Sequence, residues 1–162
     1  MRALKIFKHL VIGMLAAWFF LTVFVDIFTV PTVFRTVGDI TIAGQVGIKV
    51  FTAMNRFELV FAVITLIGAF SFYKLHKSIK WLVFSGIMFI WSLIYNCFLT
   101  PKIANTTFQI HQTAVDDPMY AVLQATHAQY HNLYRYFDTS KLIFLLVFIT
   151  IVLLDLSKKE NV

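Results

Sequence analysis

The sequence predicts an all-α integral membrane protein, a four-helix up-down bundle with two helical hairpins extended on the outer side. Three observations carry that expectation. Residues 10–25, 59–73, 81–100 and 142–154 contain no Asp, Glu, Lys or Arg. Hydrophobic residues make up 59% of the 162-residue chain, which leaves too little charge to coat a water-soluble domain of this size. With its polar-tipped ends, each apolar run reaches the roughly 20 helical residues that cross a bilayer. The chain is read as a single transmembrane domain, 1–162, with spans at about 9–30, 52–73, 81–100 and 137–156.

The first run follows Arg2, Lys5 and Lys8, which resemble the positive start of a signal peptide. The run continues through Val25 and ends in bulky residues (Phe24, Val25, Ile27, Phe28), with no small-x-small cleavage site. It is read as a retained first span. In residues 31–56 Gly38 and Asp39 are the best turn signal. The second and third spans are joined by the short stretch from Lys74 to Lys80, which makes them antiparallel neighbours. In residues 101–137, Asp116-Asp117-Pro118 reads as a helix cap and first helical position. No proline or glycine interrupts the chain from Pro118 to Leu156, so one rod of roughly 55 Å is expected.

Eight Lys and Arg residues flank the proposed inner ends: Arg2, Lys5, Lys8, Lys74, Lys77, Lys80, Lys158 and Lys159. Six flank the outer ends: Arg35, Lys49, Arg56, Lys102, Arg135 and Lys141. The inner set sits in the shorter segments, where the positive-inside rule weighs most, so both termini are assigned to the cytoplasm. A bacterial inner membrane is the expected location. The basic residues flank spans and are not gathered on one soluble face, which argues against nucleic acid despite the net charge of +6. The lipid bilayer is the first partner, with a second copy or another membrane protein as further partner classes. Cys97, alone and inside an apolar run, is expected to be a small core residue.

Four helices carry polar groups at a similar depth: Asp26, the group Asn55, Arg56 and Glu58, Asn96, and Asp138 with Lys141. Glu58 stands about 24 Å from Lys74 at helical rise, and Asp138 about 25 Å from Asp155. Ionisable groups at such depth turn inward and pair. Asn55 and Glu58 share a face, and Arg56, turned about 100° away, is offered Asp26 as a partner. The plainer reading is that these groups anchor helix ends and lock their pairing. The functional reading is a polar chamber, open to the outer side, that takes an ion or small polar ligand. Asp26 to Pro31 and Asn96 to Pro101 also share the pattern [DN]-x-F-x-x-P at the outward ends of two outward-going spans. A parallel internal repeat gives such a match, and so does chance.

His127 and His131 stand one turn apart on one face, a spacing that suits a shared transition metal or a nearby haem. A third ligand is not evident: His111 lies nearer the hairpin tip, and His9 and His76 belong to the inner side. No Cys-x-x-Cys or His-Glu-x-x-His accompanies the pair. The expectation is no cofactor, with a metal or haem at these histidines as the competing reading. Tyr130, Tyr134, Tyr136 and Phe137 fit an interfacial aromatic belt. No phosphate loop, nucleophile elbow or pair of catalytic carboxylates is present, so a non-enzymatic protein is expected, working by interaction or by ligand binding at the outer polar layer. A small transporter is the third class.

The order of features resembles a known family. A first span runs into Val30-Pro31-Thr32-Val33-Phe34-Arg35, Ala43-Gly44 and Val50-Phe51 come next, and the third span ends in Leu99-Thr100-Pro101. A polar helical stretch then leads to Asp117-Pro118-Met119-Tyr120 and a His-containing aromatic approach to the last span. From about 10 to 154 the chain is similar to the domain-of-unknown-function 4149 group, which includes the transmembrane-protein-205-like proteins. That resemblance implies four spans and no established enzymatic activity, and it singles out Pro31, Arg35, Pro101, Tyr120 and His131 for mutation. The chain is compact before its Asp-Pro step, where relatives carry a longer polar insertion. Asn55-x-x-Glu58 also resembles part of the membrane glutathione-metabolising enzymes, without the rest of their basic and aromatic set.

Overall fold

The computed structural model describes residues 2–76 and 79–160, with side chains described for 11–74 and 79–155. The side chains of the inner-end residues Arg2, Lys5, Lys8, His9, His76, Lys158 and Lys159, and all of Lys77, lie outside the described residues. Helices α1 (Arg2–Phe24), α2 (Val30–Thr36), α3 (Ile40–His76), α4 (Ile79–Ile94), α5 (Thr100–Gln112) and α6 (Pro118–Glu160) account for almost all of the chain, and no strand occurs among the described residues. Five-residue π turns, Val25–Thr29 and Tyr95–Leu99, join α1 to α2 and α4 to α5. The result is two long helical hairpins, α1–α2 against α3 and α4–α5 against α6, in an all-α four-rod bundle. Four stretches are long and apolar enough to cross a membrane: Val11–Thr36, Ile40–Lys74, Ile79–Gln112 and Pro118–Asp155. This is a multi-pass integral membrane protein.

The helix ends follow from their caps. Asp39 Oδ1 accepts from the backbone N–H of Thr41 (2.7 Å) and Ile42 (3.2 Å), and so satisfies donors that the start of α3 leaves free. Asp117 does the same for Met119 at 2.8 Å, with Pro118 in the first helical position, where its missing N–H costs nothing. Helix α6 then runs 43 residues without a break, about 64 Å at helical rise and twice the hydrocarbon core.

Proline also sets the π turns. Pro31 and Pro101 have no N–H, and their rings clash with the carbonyl four residues back. In each case the residue before the proline donates five residues back instead: Val30 to Val25, and Thr100 to Tyr95. Each turn holds one extra residue, and the two occurrences of [DN]-x-F-x-x-P adopt the same geometry.

The core lies on the half of the bundle nearer the termini. Leu15 and Trp18 from α1, Ala62 and Phe72 from α3, Trp81 and Met88 from α4, and Leu145 and Phe148 from α6 are all buried there. Phe72 and Trp81 stack with centroids 4.1 Å apart, and Trp81 Nε1 donates to Asp155 Oδ2 at 3.1 Å, which fixes that end of α6. Small buried residues (Ala62, Ala69, Ser85) let α3 and α4 approach closely. Phe20, Phe24, Ile27, Phe28, Ile67 and Phe70 are exposed, a surface suited to lipid and not to water.

Three expectations are corrected. Cys97, in the second π turn, is exposed and not a core residue. Arg56 is exposed and makes no ion pair among the described residues, so it does not serve Asp26. Tyr134 is buried and not part of an aromatic belt, whereas Tyr136 is 74% exposed.

Candidate functional site

Lys141 is the centre of the buried polar layer. Its side chain is only 2% exposed, and Nζ lies 2.6 Å from Glu58 Oε1 on α3 and 2.6 Å from Asp138 Oδ1 one turn earlier on α6. The ammonium also sits 4.7 Å from the centre of the Tyr95 ring, whose negative face complements it. Thr22 on α1 donates to the same Glu58 Oε1 at 3.0 Å, while the buried Glu58 Oε2 accepts no hydrogen bond among the described residues. A charge this deep is costly unless paired, and all four rods supply partners.

A second, neutral network lies alongside. Asn55 on α3 donates through Nδ2 to Thr100 Oγ1 (2.7 Å), and its Oδ1 accepts from Tyr134 Oη (3.1 Å). Asn96 donates to the backbone carbonyls of Asn55 and Ser92, and Ser92 donates to those of Glu58 and Met88. These bonds tie α3, α4, α5 and α6 together at one level, and they define the helix register in a region where apolar packing alone would allow slip. The Tyr134 ring is held between Phe51 (5.2 Å) and Tyr95 (4.9 Å).

Above this layer, between the projecting parts of the two hairpins, lies a cavity of about 970 Å³. Asp26, Tyr134 and Asp138 line its deep end. Asp26 is on the first π turn, so the extra residue there sets the direction of its carboxyl. Val30, Phe34, Ile48, Phe51 and Ile103 give apolar walls, while Arg135, His127, His131, Tyr120 and His111 bring polar groups to the α6 and α5 sides. Gly47 also lines the cavity, and a β-carbon there would meet the Phe34 ring at 3.5 Å. Volume and mixed lining match a site for a small organic molecule.

The structure thus brings Asp26 and Asp138 to the cavity, and Glu58, Asn55 and Asn96 into the buried layer behind it. Arg56 belongs to neither. Of the family-like positions, Tyr120 lines the cavity and its hydroxyl accepts from Gln124 Nε2 at 3.1 Å. Pro31 and Pro101 come directly after the π turns, and Arg35 is exposed at the end of α2. The rings of His127 and His131 stack with centroids 6.0 Å apart on the cavity wall. Among the described residues, no group of three or more His, Cys, Asp or Glu converges to hold a metal ion.

Sequence reasoning missed Lys141 as the hub and Thr22 and Tyr95 as its surroundings, and it missed Tyr134 and Thr100 as the partners of Asn55. The signal was present in the spacing: Tyr134, Asp138 and Lys141 lie at i, i+4 and i+7 on one face, and Thr22 lies one turn before Asp26.

Comparisons with protein-family models, with curated proteins and with solved structures returned no match.

Proposed function

We propose that this protein is a non-enzymatic membrane protein that binds a small amphipathic ligand in the cavity between its two hairpins, on the non-cytoplasmic side of a bacterial inner membrane. Both termini are then cytoplasmic. The observation that carries the reading is the cavity itself: apolar walls lead to a deep end lined by Asp26 and Asp138, and the paired Lys141 and Glu58 lie directly behind. Helix anchoring alone needs the ion pairs but not a void of this size beside them. We extend the proposal to membership of the four-span group that the chain resembles.

The test is a melting-temperature screen of detergent-purified protein against small amphipaths of either charge, with Ile103→Trp as the plugged variant. Ligands that raise Tm in the native chain and not in Ile103→Trp support the reading. It is overturned if no ligand separates the two proteins. Reporter fusions after residues 38 and 115 test the orientation, and activity of either reporter in the cytosol reverses it.

A further inference from the structure

We propose that the cavity selects organic cations, held at its deep end by the carboxyl groups of Asp26 and Asp138. The assignment rests on the cavity reading and adds the chemical class of the ligand.

Charge balance is the first argument. Glu58 and Asp138 share the one ammonium of Lys141, and Asp26 lines the deep end of the cavity with Asp138, so three carboxyl groups stand against one fixed positive charge at this level. Away from water such a cluster needs further positive charge to approach neutrality. Glu58 Oε2, on a fully buried side chain, has no donor among the described residues. Asp26 and Asp138 both line the cavity, so their carboxyl groups can accept from a bound ammonium or lie against a bound cation. Tyr95 and Tyr134 are the other titratable groups packed against the cluster, and Arg135, His127 and His131 are the charged or titratable groups on the α6 wall above it.

The second argument is the body of the ligand. Val30, Phe34, Phe51 and Ile103 offer apolar and aromatic surface to a carbon skeleton, and aromatic faces also favour a cation. No convergent metal-ligand set exists among the described residues, and the void far exceeds one ion. An organic ammonium or phosphonium uses both ends of the cavity, with its charge at the carboxyls and its skeleton on the walls.

The full chain in lipid nanodiscs is titrated with radiolabelled tetraphenylphosphonium, and with tetraphenylborate as a probe of the same shape and opposite charge. Empty nanodiscs give the lipid background. The expected result is saturable phosphonium binding, weakened roughly ten-fold or more by Asp26→Asn. Preference of the native chain for borate overturns the proposal without any variant. So does phosphonium binding unchanged in a folded Asp26→Asn. Ile103→Trp separates the two levels of inference. If it blocks the borate while phosphonium never binds, the cavity stands and the cation assignment falls. If it changes neither probe, the cavity reading falls as well.

Discussion

The ammonium of Lys141 and the carboxylate of Glu58 meet at 2.6 Å across the bundle, with both side chains exposed by no more than 2%. They join the last rod to the second at a level about 21 Å from Asp155 at helical rise. That depth is inside the hydrocarbon core if Asp155 marks its inner boundary. The pair therefore does more than tether helix ends near a headgroup region: it fixes the position of Asp138 beside the cavity.

Breaking the pair from one side should be severe. Lys141→Met leaves Glu58 and Asp138 buried without their cation and is expected to cost about 3–5 kcal/mol. The double variant Glu58→Leu/Lys141→Met should lose less than Lys141→Met alone, because it removes one of the stranded charges. Thermal unfolding in detergent, followed by circular dichroism, measures both. A double variant less stable than the single one contradicts the pairing.

Asn55 should matter more than its neighbour Tyr134. Tyr134→Phe loses one hydrogen bond, about 1 kcal/mol. Asn55→Ala loses that bond and the one to Thr100, and leaves Tyr134 Oη buried without a partner, so a larger drop in Tm is expected. Equal or reversed effects would show that Asn55 is not the bridge between α5 and α6.

Pro31 should govern the direction of Asp26. With alanine there, the N–H returns and the segment can close ordinary helical turns, which rotates α2 relative to α1 by about 100°. Spin labels at the exposed positions Thr32 and Gln45 report this as a changed distance distribution in Pro31→Ala and an unchanged one in the control Ala17→Ser. An identical distribution in Pro31→Ala would mean that proline does not hold the π turn.

Cys97 should be open to lipid and closed to water. A hydrophobic maleimide is expected to label it in membranes, whereas a charged, impermeant thiol reagent is not. In Cys97→Ser carrying Gln124→Cys, the charged reagent should react from the non-cytoplasmic side, since Gln124 lines the cavity. Ready reaction of Cys97 with the charged reagent would place that turn outside the bilayer.

The histidine pair has its own test. Purified protein is expected to hold metal or haem well below stoichiometric amounts, since two imidazoles without a third ligand bind weakly. A stoichiometric metal content or a haem absorption band, lost in His127→Ala/His131→Ala, would establish the competing metal or haem reading.

Much of the fold was legible in the sequence because its signals are local. Asp39 and Asp117-Pro118 announce helix starts through their own chemistry, and long uncharged runs announce rods. The level of Asp26, Glu58, Asn96 and Asp138 could be counted at 1.5 Å per residue. The rotation of each rod could not. In lipid every face of a helix is apolar, so hydrophobic periodicity gives little phase, and Tyr134, Arg56 and Cys97 were assigned to the wrong surroundings. The π turns added to the difficulty. Each inserts a residue just before a proline, so a face traced along α1 or α4 does not continue into α2 or α5. Lys141 was placed at the right level, but its role depends on three other rods, and no single segment carries that information.

The unbroken run of α6 has a mechanical consequence. The rods that end at Thr36 and Gln112 each contain a joint, and a joint absorbs displacement. Between His127 and Lys141 there is none, only about 21 Å of continuous helix. Whatever tilts the upper wall of the cavity moves the buried ammonium with it, as the short arm of a stiff beam follows the long one. The last helix thus links the projecting hairpin mechanically to the charge at the heart of the bundle.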